Sequence, residues 1–298
     1  MQFGLHLPHL GRSASREVLR GFAHAAEATG FDSLWVSDHV IVPKRLESRY
    51  PYNESGEFPF RPDAPFLDPI ATLLFVAGCT ERVRLGTAVL IVPYRNPVVQ
   101  AKELATLDFV SGGRLILGIG TGWMAEEFAA LDVPFAHRGA RTNEYLALIK
   151  QLWTADDTGF AGTYYRLDDV GFAPRPLQQP HPPIWAGGHS EPAFRRAGRS
   201  CDGWLGANVS PTELAGQFEQ VQRHARAAGR DAAALTLAAR IPLRYAPGDE
   251  QVLRDTVADY RAIGASHLIF DMGVRSVEAA RETMARIMES VLAREQGG

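Results

Sequence analysis

The stretch from Phe31 to Val40 reads F-D-S-L-W-V-S-D-H-V, and it guides the interpretation of the whole chain. Its apolar run, L-W-V, ends abruptly in Ser37, Asp38 and His39, which is typical of a buried strand that opens into a site. In folds that alternate strands and helices, groups at the carboxyl ends of the strands face the ligand crevice. Asp38 and His39 are therefore the first candidates for chemistry.

Strand-like and helix-like runs alternate along the 298 residues, and no linker rich in Gly or Ser divides them. The last helix is predicted over Val274–Glu295. The eight predicted strands are Gln2–Leu7, Phe31–Val40, Val83–Val92, Arg114–Ile119, Ile184–Ala186, Asp202–Ala207, Leu235–Leu243 and His267–Phe270. This repetition predicts an α/β fold, a (β/α)8 TIM barrel formed by residues 1–298 as a single domain. The alternative is a doubly wound sheet, but its glycine-rich loop should follow the first strand, which here runs into L-P-H.

Two segments interrupt the alternation, and we expect both at the C-terminal face of the barrel. Residues 43–69 mix prolines, aromatics and charges, and loops of this length tend to be lids or binding loops. We predict an active-site lid whose aromatic side chains, among them Tyr50, Tyr52 and Phe60, cover an apolar pocket. The alternative is a surface loop packed by its own side chains. Residues 160–182 are predicted to be an extended excursion.

The composition is typical of a soluble enzyme, since 46% of the residues are hydrophobic and the formal net charge is −3. This balance argues against nucleic acid as a partner, because a phosphate-binding surface usually needs a basic excess. The first residues lack the basic leader of a signal peptide, and no apolar run reaches the length of a membrane span. We expect a cytoplasmic protein with a small-molecule substrate, no nucleic acid partner and no membrane partner.

Two glycine clusters follow predicted strands. The first, G-I-G-T-G at 118–122, would let a planar ligand or a phosphate approach the backbone, or it could be a tight turn only. An acidic helix start at Glu126 and Glu127 comes soon after it. The second, G-G-H-S at 187–190, would expose backbone N–H groups at a helix N-terminus, where an anion is favoured. Ser190 could instead act only as the helix cap.

Three histidines, His6, His9 and His39, could suggest a metal centre near the barrel mouth. The H-x-x-H spacing of the first two is not the H-x-H usual in barrel hydrolases, and we find no suitable carboxylate or lysine at the later strand ends. We therefore expect no metal, and a metal-dependent hydrolase ranks last among the alternatives. A histidine at neutral pH fits better as a proton donor or acceptor.

Five motifs together resemble the bacterial luciferase-like monooxygenase superfamily, especially its deazaflavin-dependent branch, the coenzyme F420 oxidoreductases. They occur in family order over nearly the whole chain. The motifs are G-F-D-S-L-W-V-S-D-H-V at 30–40, V-R-L-G-T-A-V-L-I-V-P-Y-R-N-P at 83–97, S-G-G-R-L-I-L-G-I-G-T-G-W at 111–123, P-P-I-W-A-G-G-H-S at 182–190 and A-G-R-S-C-D-G-W at 197–204.

The resemblance implies a barrel with a deazaflavin or flavin across its C-terminal mouth. Asp38 and His39 match the catalytic pair beside the reactive ring, with His39 as the proton donor. Ala88–Val89 matches a cis peptide that forms a bulge behind the ring. The implied cofactor contacts are Thr87, Ala88 and Val89 at the bulge, Gly120, Thr121 and Gly122 along the cofactor, and Ala186, Gly187, Gly188 and His189 around its phosphate.

One position departs from the family pattern. Some deazaflavin dehydrogenases carry a Glu directly after G-T-G, where this chain has Trp123. We therefore assign no catalytic acid there and expect Trp123 to pack over the ring or over an apolar substrate.

The first hypothesis is an F420-dependent oxidoreductase that transfers a hydride between the cofactor and a small apolar substrate. The alternatives are an FMN-dependent monooxygenase and a non-catalytic flavin-binding protein, and a homodimer is expected because dimers are common in the family.

Overall fold

The computed structural model describes residues 1–243, 245–246, 248–273 and 276–292. The strands are β1 (Gln2–His6), β2 (Ser33–Val36), β3 (Arg84–Thr87), β4 (Leu90–Ile91), β5 (Leu115–Gly120), β6 (Phe160–Ala161), β7 (Arg166–Leu167), β8 (Ile184–Gly187), β9 (Gly203–Ala207), β10 (Thr236–Pro242) and β11 (His267–Asp271). The helices are α1 (Arg16–Thr29), α2 (Pro69–Ala77), α3 (Pro97–Val110), α4 (Ala125–Ala130), α5 (Arg138–Thr154), α6 (Glu191–Ser200), α7 (Pro211–Ala227), α8 (Glu250–Ala262) and α9 (Val277–Leu292). A short 3-10 turn covers Val92–Tyr94.

Within the described residues, eight parallel strands close into a barrel, which confirms the predicted (β/α)8 fold. Their order around the barrel is β1-β2-β3-β5-β8-β9-β10-β11. Leu5 of β1 pairs with Leu34 on one side and with Phe270 on the other, and Leu85 of β3 pairs with Leu115 of β5. The carboxyl ends of all eight strands therefore meet at one mouth.

The barrel strands are short apolar runs because helices cover them from outside and side chains fill the inside. The indole of Trp35 stacks on that of Trp185 inside the barrel, with ring centroids 5.4 Å apart. A Cβ atom on Gly86 would lie 2.2 Å from the Trp35 ring, so the glycine makes room for this indole. The barrel interior is thus a packed core, and ligand space is left at the mouth.

The structure corrects two predicted strands. Of Phe31–Val40, only Ser33–Val36 forms a strand. Val83–Val92 is not continuous but divides into β3 and β4, because Leu85 pairs with Leu115 whereas Leu90 pairs with Ile119. Between the two strands, the peptide bond from Ala88 to Val89 is cis, as the family resemblance implies. The chain therefore leaves the regular barrel wall at the place where the bulge was expected.

The two segments predicted as insertions lie between barrel strands. Residues 43–68 form turns and bends, with one bridge between Leu10 and Phe66, and α2 begins at Pro69. Residues 160–182 begin with the antiparallel β6–β7 pair and continue as irregular chain. Of the predicted last helix, positions 274–275 and 293–295 lie outside the described residues. In the part of the chain that is described, no helix is both long enough and apolar enough to traverse a bilayer.

Candidate active site at the barrel mouth

A cavity of about 570 Å³ opens at the carboxyl ends of the barrel strands. Most of the predicted site residues border this cavity, which lies at the carboxyl ends of the strands, where the sequence predicts the site. The predicted residues that border it are Asp38, His39, Tyr50, Tyr52, Phe60, Ala88, Val89, Gly120, Thr121, Gly122, Trp123, Gly187 and Gly188.

Three predicted cofactor contacts, Thr87, Ala186 and His189, are not among the residues that border the cavity. Thr87 is buried in the barrel wall, where its hydroxyl donates to the carbonyl oxygen of Gly118 at 2.7 Å. Ala186 is fully buried in β8. The imidazole of His189 is engaged at both nitrogens, since Nδ1 lies 2.7 Å from Oε1 of Gln217 and Nε2 accepts the N–H of Ala207 at 3.3 Å. Thr87 and Ala186 therefore lie in the barrel wall, and His189 lies behind residues that border the cavity.

His39 is held on one side by a buried carboxylate. Its Nδ1 lies 2.6 Å from Oε2 of Glu127, and the Glu127 side chain is fully buried. The other oxygen of Glu127 accepts the backbone N–H groups of Val40 at 2.6 Å and Ile41 at 3.2 Å. Because an ionised carboxylate only accepts hydrogen bonds, Nδ1 of His39 carries a proton and donates it. The Nε2 atom has no partner among the described residues, and the side chain borders the cavity.

Tyr94 completes this arrangement from the 3-10 turn after β4. Its hydroxyl donates to Oε2 of Glu127 at 2.8 Å, the same oxygen that accepts from His39. Burial and the nearby Glu127 carboxylate raise the pKa of Tyr94, so that the phenol stays protonated and remains a donor. Four donors therefore fix the Glu127 carboxylate, and the carboxylate in turn fixes the orientation of His39.

Asp38 is engaged by the protein itself. Nη1 and Nη2 of Arg95 donate to its two carboxylate oxygens at 2.6 and 2.9 Å, and the N–H of Ile91 donates to one of them at 2.9 Å. Arg95 also donates to Asp68, which caps α2. Burial raises the pKa of Asp38, whereas the Arg95 guanidinium opposes this change. With both oxygens occupied, Asp38 is placed to anchor the segment after β3 rather than to exchange a proton with a ligand.

The cis peptide is held by side chains from across the barrel mouth. The carbonyl oxygen of Ala88 accepts Nη1 of Arg240 at 2.8 Å and the hydroxyl of Ser37 at 3.2 Å. Arg240 lies in β10, and its Nε also donates to the carboxylate of Asp271, which ends β11. Hydrogen bonds from Arg240 of β10 and from Ser37, which directly follows β2, thus fix the position of the bulge.

The side chain of Val89 explains two of the predicted glycines. A Cβ atom on Gly120 would lie 2.5 Å from Cγ2 of Val89, and one on Gly187 would lie 2.8 Å from its Cγ1. Gly122 has φ of +79°, and a Cβ there would lie 2.6 Å from the ring of Phe128. These glycines are therefore required first by the packing of the protein on itself, a reason that differs from the tight turn considered for the G-I-G-T-G cluster.

Aromatic side chains of the predicted lid lie over the cavity. The ring of Phe58 lies 4.9 Å from that of His39 and 5.4 Å from that of Trp123, measured between centroids. Tyr50 packs against Trp123 at 5.3 Å. Tyr52, Phe60 and Phe66 also border the cavity. His39 consequently faces an aromatic compartment, which suits an apolar or planar ligand.

The border of the cavity also has a cationic part near α6. It includes Arg138 and Arg196, together with Ser190 at the N-terminus of that helix. Nε of Arg138 donates to the Gly122 carbonyl, whereas no described residue accepts from its Nη atoms. The side chain of Ser190 makes no capping hydrogen bond. Guanidinium groups beside a helix N-terminus are suited to an anionic group such as a phosphate.

The side chains that border the cavity indicate which kind of cofactor it suits. Among the described residues, no cluster of three or more His, Cys, Asp or Glu side chains is arranged to hold a metal ion. An aromatic compartment next to arginines and a helix N-terminus instead fits an organic group with a planar ring and an anionic tail. A flavin or a deazaflavin has both parts, so the residues present fit such a cofactor.

Sequence reasoning missed the partners that organise this site. Glu127 was noted only as part of an acidic helix start, and Tyr94, Arg95 and Arg240 were not singled out. A carboxylate does end one of the later strands, since Asp271 ends β11 and borders the cavity, but it pairs with Arg240. Arg240 within an apolar strand was a signal that could have been used, since a charge at such a position needs a partner or a ligand.

Comparisons with known proteins agree with the fold. The family model for luciferase-like monooxygenase matches residues 1–296. An F420-dependent glucose-6-phosphate dehydrogenase from Amycolatopsis mediterranei is 35% identical over 241 residues, which are 79% of this chain and 67% of that protein. An FMNH2-dependent dimethylsulfone monooxygenase from Pseudomonas putida is 35% identical over 156 residues, 51% of this chain and 42% of that protein.

A solved structure, an F420-dependent secondary alcohol dehydrogenase in complex with an F420–acetone adduct, superposes with a TM-score of 0.78 at 18% identity. The superposition covers 98% of each chain, and at this identity it shows the shared fold. Because the family match extends over nearly the whole sequence, this protein belongs to the luciferase-like monooxygenase family, which has both F420-dependent and FMN-dependent members.

Proposed function

We propose that this protein is an oxidoreductase that uses coenzyme F420 to transfer a hydride to or from a small, largely apolar organic substrate, with His39 as the proton donor or acceptor. The observation that carries the proposal is the environment of His39. Its Nδ1 is held by Glu127 at 2.6 Å, while its Nε2 is free of described partners at an aromatic cavity. A fixed tautomer with one free nitrogen is the arrangement that general acid–base catalysis requires.

When bound, a reduced deazaflavin supplies a hydride to a substrate carbon. Charged His39 then donates the proton on Nε2 to the substrate oxygen, and the Glu127 carboxylate compensates the charge of the imidazolium. In the opposite direction, neutral His39 accepts the hydroxyl proton at Nε2. Phe58, Tyr50 and Trp123 exclude water above the imidazole, which keeps the proton transfer between His39 and the substrate.

The preference for F420 over FMN rests on two similarities. The motifs S-D-H-V and V-P-Y-R-N-P resemble the deazaflavin branch, and the F420-dependent relative is matched over more of its length than the FMNH2-dependent one, 67% against 42%. A sugar phosphate is not the proposed substrate, because Trp123 and the lid aromatics offer an apolar compartment. The proposed cofactor phosphate site is the cationic border formed by Arg138, Arg196 and Ser190.

The proposal can be tested with reduced F420 that carries deuterium at the transferring carbon, mixed without oxygen with a panel of aromatic ketones and enones. We expect oxidation of the cofactor and deuterium on the reduced carbon of the product. A His39→Asn variant should bind F420 normally but turn over about 10² to 10⁴ times more slowly. Equal turnover by the variant would refute the role of His39.

The competing function is an FMN-dependent monooxygenase, which the similarity to the Pseudomonas putida enzyme supports. In that case the anaerobic mixture would stay unreacted. Product would form only with reduced FMN and oxygen, and it would contain one oxygen atom derived from the gas. That result would replace the F420 proposal.

A further inference from the structure

Arg240 lies on the border between two cavities. The cavity at the barrel mouth, about 570 Å³, shares Arg240, Asp271, Leu10 and Phe60 with a second cavity of about 350 Å³. The second cavity is otherwise lined by His6 at the end of β1, by the chain that follows it and by the chain after β11. Arg240 therefore borders both cavities at once.

The guanidinium of Arg240 is only partly used by the protein. Its Nε donates to Asp271, with N–O distances of 3.0 and 3.1 Å, and its Nη1 donates to Ser37 Oγ at 2.9 Å and to the Ala88 carbonyl at 2.8 Å. No described residue accepts from Nη2. The side chain keeps 22% of its surface exposed and borders both cavities, and Nη2 is its one nitrogen without a described acceptor.

Among the described residues, the charge of Arg240 is balanced by its ion-pair partner Asp271. The other described titratable groups that Arg240 influences are His6, His9, Tyr50 and Tyr52. Burial lowers the pKa of His6 and His9, and burial raises the pKa of both tyrosines, so that all four side chains are neutral near pH 7. His6 Nδ1 lies 3.8 Å from Asp271, too far for a hydrogen bond.

We propose that Nη2 of Arg240 donates a hydrogen bond to an uncharged oxygen of the substrate, such as that of a ketone, ester, amide or alcohol, and thereby orients the substrate at the border between the two cavities. This inference rests on the proposed function, because it assigns the substrate class of the same site. The oxygen concerned is distinct from the one that exchanges a proton with His39.

An uncharged acceptor fits better than an anion for two reasons. A carboxylate or phosphate gains most from Arg through two parallel hydrogen bonds, but Nε and Nη1 are already occupied. In addition, the Asp271 carboxylate borders both cavities and repels a second negative charge. A single N–H beside an existing ion pair is therefore selective for a neutral oxygen.

The test uses four probes of one shape: 2-acetylnaphthalene, 2-ethylnaphthalene, 2-naphthoate and 2-naphthyl phosphate. Their affinities for the full chain are measured by calorimetry, with and without oxidised F420. We expect the acetyl probe to bind about tenfold more tightly than the ethyl probe, and both anionic probes to bind more weakly than the acetyl probe. Since the measurement also works without cofactor, a failure of F420 binding does not affect its outcome.

Three variants assign the effect to this site. Arg240→Lys keeps a cation near Ser37 and Ala88 but removes Nη2, and it should abolish the preference for the acetyl over the ethyl probe, as should Arg240→Met. Asp271→Asn removes the repelling charge and should strengthen binding of 2-naphthoate about tenfold. Thermal unfolding of each variant establishes that it is folded.

Three results would overturn the proposal. The first is an acetyl preference that survives in a folded Arg240→Lys or Arg240→Met protein. The second is tighter binding of naphthoate or naphthyl phosphate than of the acetyl probe by the natural protein. The third is the absence of binding by every probe, which would show that the compartment does not take a ligand of this class.

Discussion

The Nδ1 atom of His39 lies 2.6 Å from Oε2 of Glu127, although 88 positions separate the two residues in the sequence. His39 follows β2 and Glu127 lies in α4, which follows β5, so the pair connects two parts of the barrel mouth that are separated by β3. The hydroxyl of Tyr94 and the backbone N–H groups of Val40 and Ile41 bind the same carboxylate. The orientation of the proposed proton donor therefore depends on a residue that does not border the cavity.

Replacing Glu127 by Gln should lower kcat about 10²-fold, because an amide cannot compensate the charge of the His39 imidazolium and can present the wrong group to Nδ1. The Kd for F420 should change little, since Glu127 does not border the cavity. Turnover and fluorescence titration measure the two effects separately. Tyr94→Phe is the matched control, as it removes one donor to the carboxylate but keeps its charge, and it should lower kcat less than Glu127→Gln. A fall in F420 affinity with unchanged kcat would contradict a positioning role.

The lid is attached to the barrel by Glu126. Its Oε1 accepts the backbone N–H groups of Glu47 at 2.6 Å and Ser48 at 2.9 Å. Glu126→Ala should therefore accelerate amide hydrogen exchange at these two residues and raise KM several-fold, while kcat falls less. Hydrogen-exchange mass spectrometry of residues 43–69 measures the first effect. If exchange in this segment is the same in both proteins, Glu126 does not hold the lid.

Gly120 is expected to tolerate a side chain only when Val89 is shortened. In Gly120→Ala the new Cβ would lie 2.5 Å from Cγ2 of Val89, so overpacking should reduce stability by about 1–3 kcal/mol. It should also displace the bulge and weaken cofactor binding. The double variant Gly120→Ala/Val89→Ala should recover most of the stability, as measured by denaturant unfolding. Additive effects of the two changes would mean that the residues do not compete for space.

Buried histidines should make the fold sensitive to mild acid. Burial lowers the pKa of His6 and His9, and that of His267 to about 3. The unfolded chain binds protons near the ordinary value of about 6.5, so the stability from these neutral side chains is present above about pH 6.5 and is lost as the pH falls toward 3. Each histidine contributes a slope of up to about 1.4 kcal/mol per pH unit. Urea unfolding between pH 7.5 and 5 should show a smaller slope for His267→Gln than for the natural protein, and equal slopes would contradict this origin.

The barrel and the position of the site could be predicted because they depend on short local patterns. Strand runs that end in polar residues, as at Asp38 and His39, place chemistry at the mouth of any (β/α)8 barrel. The cis peptide at Ala88 was implied only by the family resemblance, since no propensity indicates a cis bond that does not involve proline.

The partners of His39 and Ala88 could not be predicted in the same way. Whether Glu126 or Glu127 points inward depends on the orientation of α4, and that orientation follows from the packing of Phe128 against Tyr94 and Phe135. Similarly, the roles of the glycines depend on the side chain of Val89, which no local pattern reveals. These contacts join residues that are far apart in the sequence, so the local motifs alone could not predict them.

The central claim, that the cavity takes a deazaflavin, is tested most directly by titrating the purified protein with oxidised F420 and, separately, with FMN while following tryptophan fluorescence. Trp123 borders the cavity and should report binding. We expect F420 to bind at least about tenfold more tightly than FMN, and His39→Asn to retain this preference. Tight binding of FMN together with no binding of F420 would contradict the claim.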